Sequence, residues 1–295
     1  MNLFSSIKNH SPGRRQLLKA GFWGTAGLAL YSGEIARHWV EVTERDVTLA
    51  GLPQVFNGMR VIQLSDIHLD QYSEPFFLRD VVERVNRMHP DLVVLTGDFV
   101  TDGLGTQKFQ AGSTWQCANI LNGLTCKLRY AVLGNHDFGV GAHLVTKALE
   151  ANGIPVLRNS HVPIERAGGR IWLAGVDDPL EGHADPERAI PEQIRSVPNE
   201  PVILLCHAPD YADKVLKRAS GKSVGLMLSG HTHGGQVRLP FLGAVELPLL
   251  GKKYVEGMFQ LGAMQLYVNR GLGTIGLPFR LNCPPEITML TLRAG

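Results

Sequence analysis

The sequence predicts an α/β sandwich of layered sheets flanked by helices, and three observations carry that prediction. Short apolar runs of strand type alternate with helical stretches through the first half of the 295 residues. Strands then crowd the second half. Five of the runs are followed at once by a loop bearing Asp, His or Asn: Asp66-x-His68, Gly97-Asp98, Gly134-Asn135-His136-Asp137, His207, and Gly230-His231-Thr232-His233-Gly234. If those strands lie side by side, their ends bring oxygen and imidazole groups from distant parts of the chain to one sheet edge.

The elements follow in order. Residues 40–49 alternate weakly and read as an edge strand. Gly51-Leu52-Pro53 and Asn57-Gly58 punctuate the approach to a strand at 60–64. Phe77, Leu78, Val81, Val82 and Val85 mark the apolar stripe of a helix over 74–88, which Pro90 ends. The uninterrupted run 92–95 reads as a buried parallel strand. A helix over 112–121, a strand at 130–133 and a helix over 143–151 follow. Strands at 170–176 and 202–205 flank a Pro-rich stretch with a helix around 186–195. A helix at 210–219 leads to strands at 224–228, 265–268 and 287–292. With no internal repeat and no low-complexity linker, residues 42–295 form one domain after an N-terminal segment 1–41.

A hydrophobic fraction of 44% with 19% charged residues is that of an ordinary globular protein. The net charge is +2, but Lys8, Arg14, Arg15 and Lys19 all precede the first acid, Glu34. Without those four the remainder is −2 (+2 − 4), which argues against nucleic acid as a partner. Pro12-Gly13-Arg14-Arg15-Gln16-Leu17-Leu18-Lys19 before a Gly/Ala-rich apolar stretch at 20–31 reads as a secretory signal, and the Arg pair resembles a twin-arginine (Tat) signal. The other reading is a basic tail before a buried helix. The stretch falls short of the roughly 20 residues that a full span needs. Leu30-Tyr31-Ser32-Gly33-Glu34 is a poor cleavage site, so an uncleaved anchor stays open. These features predict export by the Tat machinery to the periplasm or the outer face of the cytoplasmic membrane, with a membrane surface as a further contact. Four cysteines without CxxC spacing make no framework. Cys206 reads as a small buried hydrophobe, and a Cys117–Cys126 bridge is not favoured.

The five loops carry the chemistry. Asp66 and His68, two apart in extended chain, point the same way and can meet one divalent ion. Asp98 follows a glycine and has two oxygens, so it can bridge two cations or else cap a helix. Asn135 offers a neutral amide oxygen, and His136 beside it points elsewhere, toward a substrate. His207 alone reads equally as a buried histidine satisfied by backbone. His231-x-His233 between glycines places two imidazoles in one turn. Oxygen and nitrogen donors without thiolate suit Mn, Fe, Zn or Mg.

Taken in order, DxH, GD, GNHD, H and GHTHGGQ resemble the calcineurin-like metallophosphoesterase superfamily, over residues 59–292. The tail Arg270-Gly271-Leu272-Gly273 and Arg280-Leu281-Asn282-Cys283-Pro284-Pro285-Glu286-Ile287, with the Tat-like start, resembles the YaeI/YkuE-type branch of exported phosphodiesterases. The resemblance implies a four-layer αββα sandwich with two mixed sheets and metals at the strand ends. It implies two divalent ions, manganese being the one expected to serve in vitro. Asp66, His68 and His233 would hold the first, Asn135, His207 and His231 the second, and Asp98 would bridge them. A hydroxide shared by the ions would attack phosphorus, and His136 would contact the phosphoryl group or protonate the leaving oxygen. Asp102 and Asp137 are candidates to orient His136, because the position that does so in the phosphoprotein phosphatase branch is Thr101 here. GDFVTDG also lacks that branch's arginine, which argues against a phosphoserine/phosphothreonine phosphatase. Arg270 is either a substrate contact or half of a loop-stabilising ion pair.

The apolar residues of 239–250 either pack under the sheet edge or form a lipid-facing lip. The function expected is a dinuclear-metal phosphodiester hydrolase acting on a small or lipid-linked diester, as a monomer. One alternative is a UDP-2,3-diacylglucosamine-type pyrophosphatase of lipid A synthesis, whose cytoplasmic nucleotide substrate conflicts with export. The other is a metal-depleted binding scaffold, against which the intact donor set argues.

Overall fold

A strand that is apolar at every position needs cover on both faces, and this chain provides it by stacking two sheets between two layers of helix. The computed structural model describes residues 13–70, 72–103, 106–197 and 199–295; Lys8 and Pro12 of the basic flank lie outside them. The strands are β1 Glu41–Leu49, β2 Arg60–Leu64, β3 Leu92–Leu95, β4 Arg129–Ala131, β5 Ser160–Arg166, β6 Gly169–Gly175, β7 Val202–Leu205, β8 Val224–Ser229, β9 Arg238–Leu239, β10 Gly243–Ala244, β11 Gly257–Leu261, β12 Met264–Val268 and β13 Glu286–Ala294. The longer helices are α1 Arg14–Leu30, α2 Pro75–Arg87, α3 Gln107–Leu121 and α4 Asn135–Ala151. One sheet runs β1-β13-β2-β3-β4 and the other β11-β12-β8-β7-β6-β5, while β9 and β10 form a separate hairpin. Both large sheets are mixed: β2, β3 and β4 are parallel, as are β6, β7, β8 and β12, with antiparallel pairings at β13–β2, β5–β6 and β11–β12.

Period-two alternation sorts the side chains into three cores. Val61, Leu92, Val94, Ile203, Leu205, Leu226 and Leu228 meet between the sheets. Their neighbours Ile62, Leu64, Val93 and Leu95 face outward under Leu78 and Val81 of α2, Ala118 of α3 and Ala148 of α4. On the far side Val202, Leu204 and Met227 pack against Ile190, Ile194 and Val215 from short helical turns. Each fully buried Leu, Ile or Val contributes about 1.5–3 kcal/mol relative to exposure. Gln63 interrupts the inter-sheet layer. Its amide donates to Thr96 Oγ1 of one sheet (3.0 Å) and to Ser229 O of the other (2.9 Å), which pins the two sheets together at the edge where the functional loops emerge.

The predicted sandwich and its edge strand are present, with differences that have local causes. Thr106 caps α3 through Phe109 N, so that helix starts five residues before the expected 112. α4 starts at Asn135 rather than 143 and kinks at Gly141 (φ 129°), which places its first turns in the functional region. Pro191 splits the expected helix at 186–195 into Pro186–Ala189 and Glu192–Arg195. The 210–219 segment keeps only a 3₁₀ turn and Ala212–Val215. Strands β5 and β11 went unread because their outer residues are polar or half-exposed. α1 buries none of its residues against the rest of the described chain. The chain after it, where the boundary at 41 was expected, is tied to the body, with Ser32, Gly33, Ala36 and Val40 buried. No helix among the described residues is long and apolar enough to cross a membrane. All four cysteines are unbridged.

Candidate metal centre

Parallel strands end together, so the loops after β2, β3, β4, β7 and β8 converge. Asp66, His68 and His233 form one cluster, Asp98, His207 and His231 a second, and His68, Asp98 and His136 a third, with donor atoms within 4.8 Å of one another in each. Asp98 and His68 belong to two clusters each. Except for His136, these side chains are buried. Asp66, His68, Asp98, His231 and His233 all sit at positive φ (49°, 48°, 56°, 73° and 51°). That region disfavours side-chain-bearing residues, and such strain gathers where the surrounding structure over-determines a functional geometry. Two glycines make room for it. A Cβ at Gly134 would strike Asp98 Oδ1 and His207 Nε2, and one at Gly230 would strike Ser65 Oγ and Asp66 Oδ2.

Outer hydrogen bonds aim the rings. His207 Nδ1 donates to Thr96 O (2.7 Å), which leaves Nε2 facing Asp98 Oδ2 at 3.0 Å. His231 Nε2 donates to Leu249 O (2.9 Å), leaving Nδ1 3.2 Å from His207 Nε2. His68 Nδ1 lies 3.0 Å from Thr101 Oγ1, whose hydroxyl donates to Asp70 Oδ2 at 2.8 Å. Thr101 gives its one proton to the carboxylate, so it accepts from His68, and His68 Nε2 keeps its lone pair. That lone pair faces His233 Nε2 at 3.2 Å and Asp98 Oδ2 at 3.5 Å.

The electrostatics match. Burial alone would lower His207, but the charge of Asp98 and their hydrogen bond raise it well above the ordinary histidine range. Burial alone would raise Asp98, and His207 holds it well below the usual carboxylate range. Burial pushes His68 well down, and burial with the charge of Arg280 does the same to His233. Burial and the charge of His207 lower His231 to about 4. Neutral rings at His68, His231 and His233, the first two with inward lone pairs and the third with a buried Nδ1 that has no partner among the described residues, and one proton between His207 and Asp98 leave the place and the charge for cations. Asn135 Oδ1 fits as well: it is buried without a partner among the described residues. Donors of this kind suit a centre of hard or borderline divalent ions.

The other candidates divide. His136 Nδ1 pairs with Asp102, and its backbone N donates to Asp98 Oδ1 at 3.0 Å. Its ring stands edge-on to His68 with centroids 4.9 Å apart, partly open to solvent. Asp137, the other candidate to orient His136, does something else. It accepts from Asp98 N, Phe99 N and Gly134 N, each at 2.9 Å, and so locks the loop after β3 to the start of α4. Burial and the charge of Asp98 push its carboxyl up to about 7. Arg270 turns its guanidinium to Glu286 Oε2 (3.3 Å) and Glu41 Oε2 (2.9 Å), the ion-pair alternative, and the structure does not bring that guanidinium into the cluster.

Sequence reasoning missed Thr101 and Asp70 behind His68, and it missed Arg280. That guanidinium is fully buried and bonds the carbonyls of Arg270, Gly273 and Cys283, which holds their loop against Asp66 and His233. The only signal for it was an arginine inside the distinctive tail.

Two mixed sheets whose ends gather imidazoles and carboxylates into clusters that could hold divalent ions are the arrangement expected of a metal-dependent enzyme. The family model described as Calcineurin-like phosphoesterase matches residues 59–235, and the chain belongs to that family of phosphoric ester hydrolases. It is 38% identical to the metallophosphoesterase YkuE of Bacillus subtilis over 95% of this chain and 98% of that protein. It is 34% identical to the phosphodiesterase YaeI of Escherichia coli over 79% of this chain and 82% of that one. Among solved structures, a dimetal phosphatase from Danio rerio superposes with a TM-score of 0.52 at 13% identity, covering 80% of this chain and 99% of that one, a likeness of fold.

Proposed function

We propose that the chain hydrolyses phosphodiesters at a dinuclear centre in which Asp66, His68 and His233 hold one divalent ion, Asn135, His207 and His231 hold the other, and Asp98 serves both. The observation that supports this most is the double membership of Asp98. One oxygen lies 3.0 Å from His207 Nε2 and 3.5 Å from His68 Nε2, the rings of the two separate clusters. Bound there, two divalent ions, manganese first among those to try, supply Lewis-acid charge and make water a nucleophile near neutral pH.

The remaining work falls to this chain's own groups. His136 stands at the solvent side of the cluster, where a leaving oxygen departs; Asp102 accepts from its Nδ1–H and so orients Nε2, which can deliver a proton to that oxygen when the ring is doubly protonated. Arg270, already paired, adds no clamp for a dianion. A diester monoanion needs fewer such clamps than a monoester dianion, and YaeI bears the name of a phosphodiesterase. A small or lipid-linked diester is therefore the substrate class we favour. We further propose that the N-terminal segment through α1 acts as a twin-arginine signal or anchor, the chain from Ser32 onward being packed on the body, and that the enzyme works as a monomer outside the cytoplasm. Arg14 and Arg15 open an apolar helix that the body leaves exposed, which supports this reading. The test is turnover of matched monoester, diester and diphosphate substrates by manganese-loaded protein. Preference for the diester is expected, and preference for the monoester would overturn the assignment.

A further inference from the structure

Exposed apolar side chains gather beside the metal centre. The hairpin β9–β10 pairs only with itself among the described strands and carries Phe241 and Leu242 at its tip. Phe241 is fully exposed and Leu242 is 80% exposed. Phe241 also sits at φ 68°, a conformation that costs an aromatic residue energy and here gains it no contact that covers the ring. Leu249, exposed on the following segment, is the residue whose carbonyl holds His231. The neighbouring loop exposes Leu277 and is stitched to the hairpin base by Gln236 Nε2 to Leu277 O (2.9 Å), Leu281 N to Gln236 O (3.0 Å) and Arg238 N to Leu281 O (2.9 Å).

The same loop holds the N-terminal arm. Arg280 N donates to Ser32 O at 3.0 Å, and Gly33 packs on Phe279. The C-terminal end of α1 is thereby tethered to the edge that carries the hairpin. α1 exposes large apolar side chains, Phe22 and Trp23 among them, and buries none. From Ala20 to Leu30 its one polar side chain is Thr25, and a helical stretch that is apolar all round is covered by protein or lies in lipid. Its start bears Arg14, Arg15 and Lys19, and no acid occurs before Glu34. That charge matches anionic headgroups, toward which each basic residue near a membrane surface adds attraction.

We propose that this edge docks on the surface of an anionic phospholipid bilayer, with Phe241 and Leu242 inserted at the level of α1 and the metal centre held against the headgroups. The docking stands on the surface itself; the presentation of headgroup diesters to the centre rests on the phosphodiesterase reading.

The test uses the full chain with vesicles of phosphatidylcholine alone and of phosphatidylcholine with about a quarter phosphatidylglycerol. A polarity-sensitive label at Phe241→Cys, on a Cys126→Ser background, should be quenched by nitroxide lipids in the anionic vesicles. The double variant Phe241→Ser/Leu242→Ser should partition onto those vesicles on the order of tenfold more weakly. Its turnover of a soluble nitrophenyl diester should equal that of the unmodified chain, while a diester carried in the bilayer is lost. An unquenched label, or equal partitioning of the double variant, would show that α1 alone meets lipid and would overturn the proposal. A dimer that dissociates in the double variant, with vesicle binding unchanged, would reassign the face to a second copy of this chain. If no diester is turned over at all, the phosphodiesterase reading fails, and quenching alone decides the docking.

Discussion

Replacing Thr101 with valine keeps the volume of the side chain and removes only its hydroxyl. His68 is fully buried, with Nδ1 3.0 Å from Thr101 Oγ1 and Nε2 turned toward Asp98 and His233. In the metal-free variant the ring can escape the loss by moving its proton to Nε2, where Asp98 Oδ2 lies at 3.5 Å. In the metal-loaded variant it cannot, because Nε2 must offer its lone pair and Nδ1–H then faces a methyl group. A buried donor left without a partner costs about 1–3 kcal/mol. Since about 1.4 kcal/mol is tenfold, the affinity for one of the two ions should fall by about 5- to 150-fold, which brackets the roughly 10- to 100-fold loss typical when partners behind metal-bound histidines are removed. The assay is titration of chelator-stripped protein with Mn²⁺, followed calorimetrically. Thr101→Ser should restore most of the affinity. If the valine variant binds both ions within twofold of the native protein, the relay from Asp70 through Thr101 does not set His68.

Other expectations follow from the same geometry. His136→Ala should keep both metals and lose about 10²–10⁴ of the rate on a diester with a poor leaving group, and much less with nitrophenol, which needs no proton; equal losses on both would point to positioning instead. Asp102→Asn should move activity in the same direction as His136→Ala, and an unchanged dependence on leaving group would separate the two residues. Replacing Arg14 and Arg15 together with Lys should leave the protein on the cytoplasmic side in a fractionation assay, and unchanged export would refute the Tat reading.

The candidate site was legible in the sequence because each donor follows an apolar run that is itself legible. Leu92–Leu95 and Val202–Leu205 have the strand bounds that the sequence reading placed. The choice between Asp102 and Asp137 was not legible. The two flank the same pair of loops, and only the packed chain shows Asp137 consumed by three backbone N–H groups while Asp102 meets the ring. The Asp70–Thr101–His68 chain joins residues 31 and 33 positions apart and depends on positive φ at His68, which no local pattern announces. Arg280 breaks the rule that arginine stays at the surface, and it does so by finding carbonyls in place of a carboxylate. Nor could periodicity decide whether the 239–250 segment was core or lip, because Pro and Gly interrupt any period there; the structure leaves Phe241, Leu242 and Leu249 exposed.

The central claim is that two ions share Asp98, and metal content tests it most directly. Native protein loaded with manganese and freed of excess should carry about two ions per chain, by the two-ion reading of these clusters. Asp98→Ala should lose more than one of them together with diester turnover, because the carboxylate serves both sets of donors. A variant that keeps near-native metal stoichiometry would contradict the shared-ligand centre, whatever its activity.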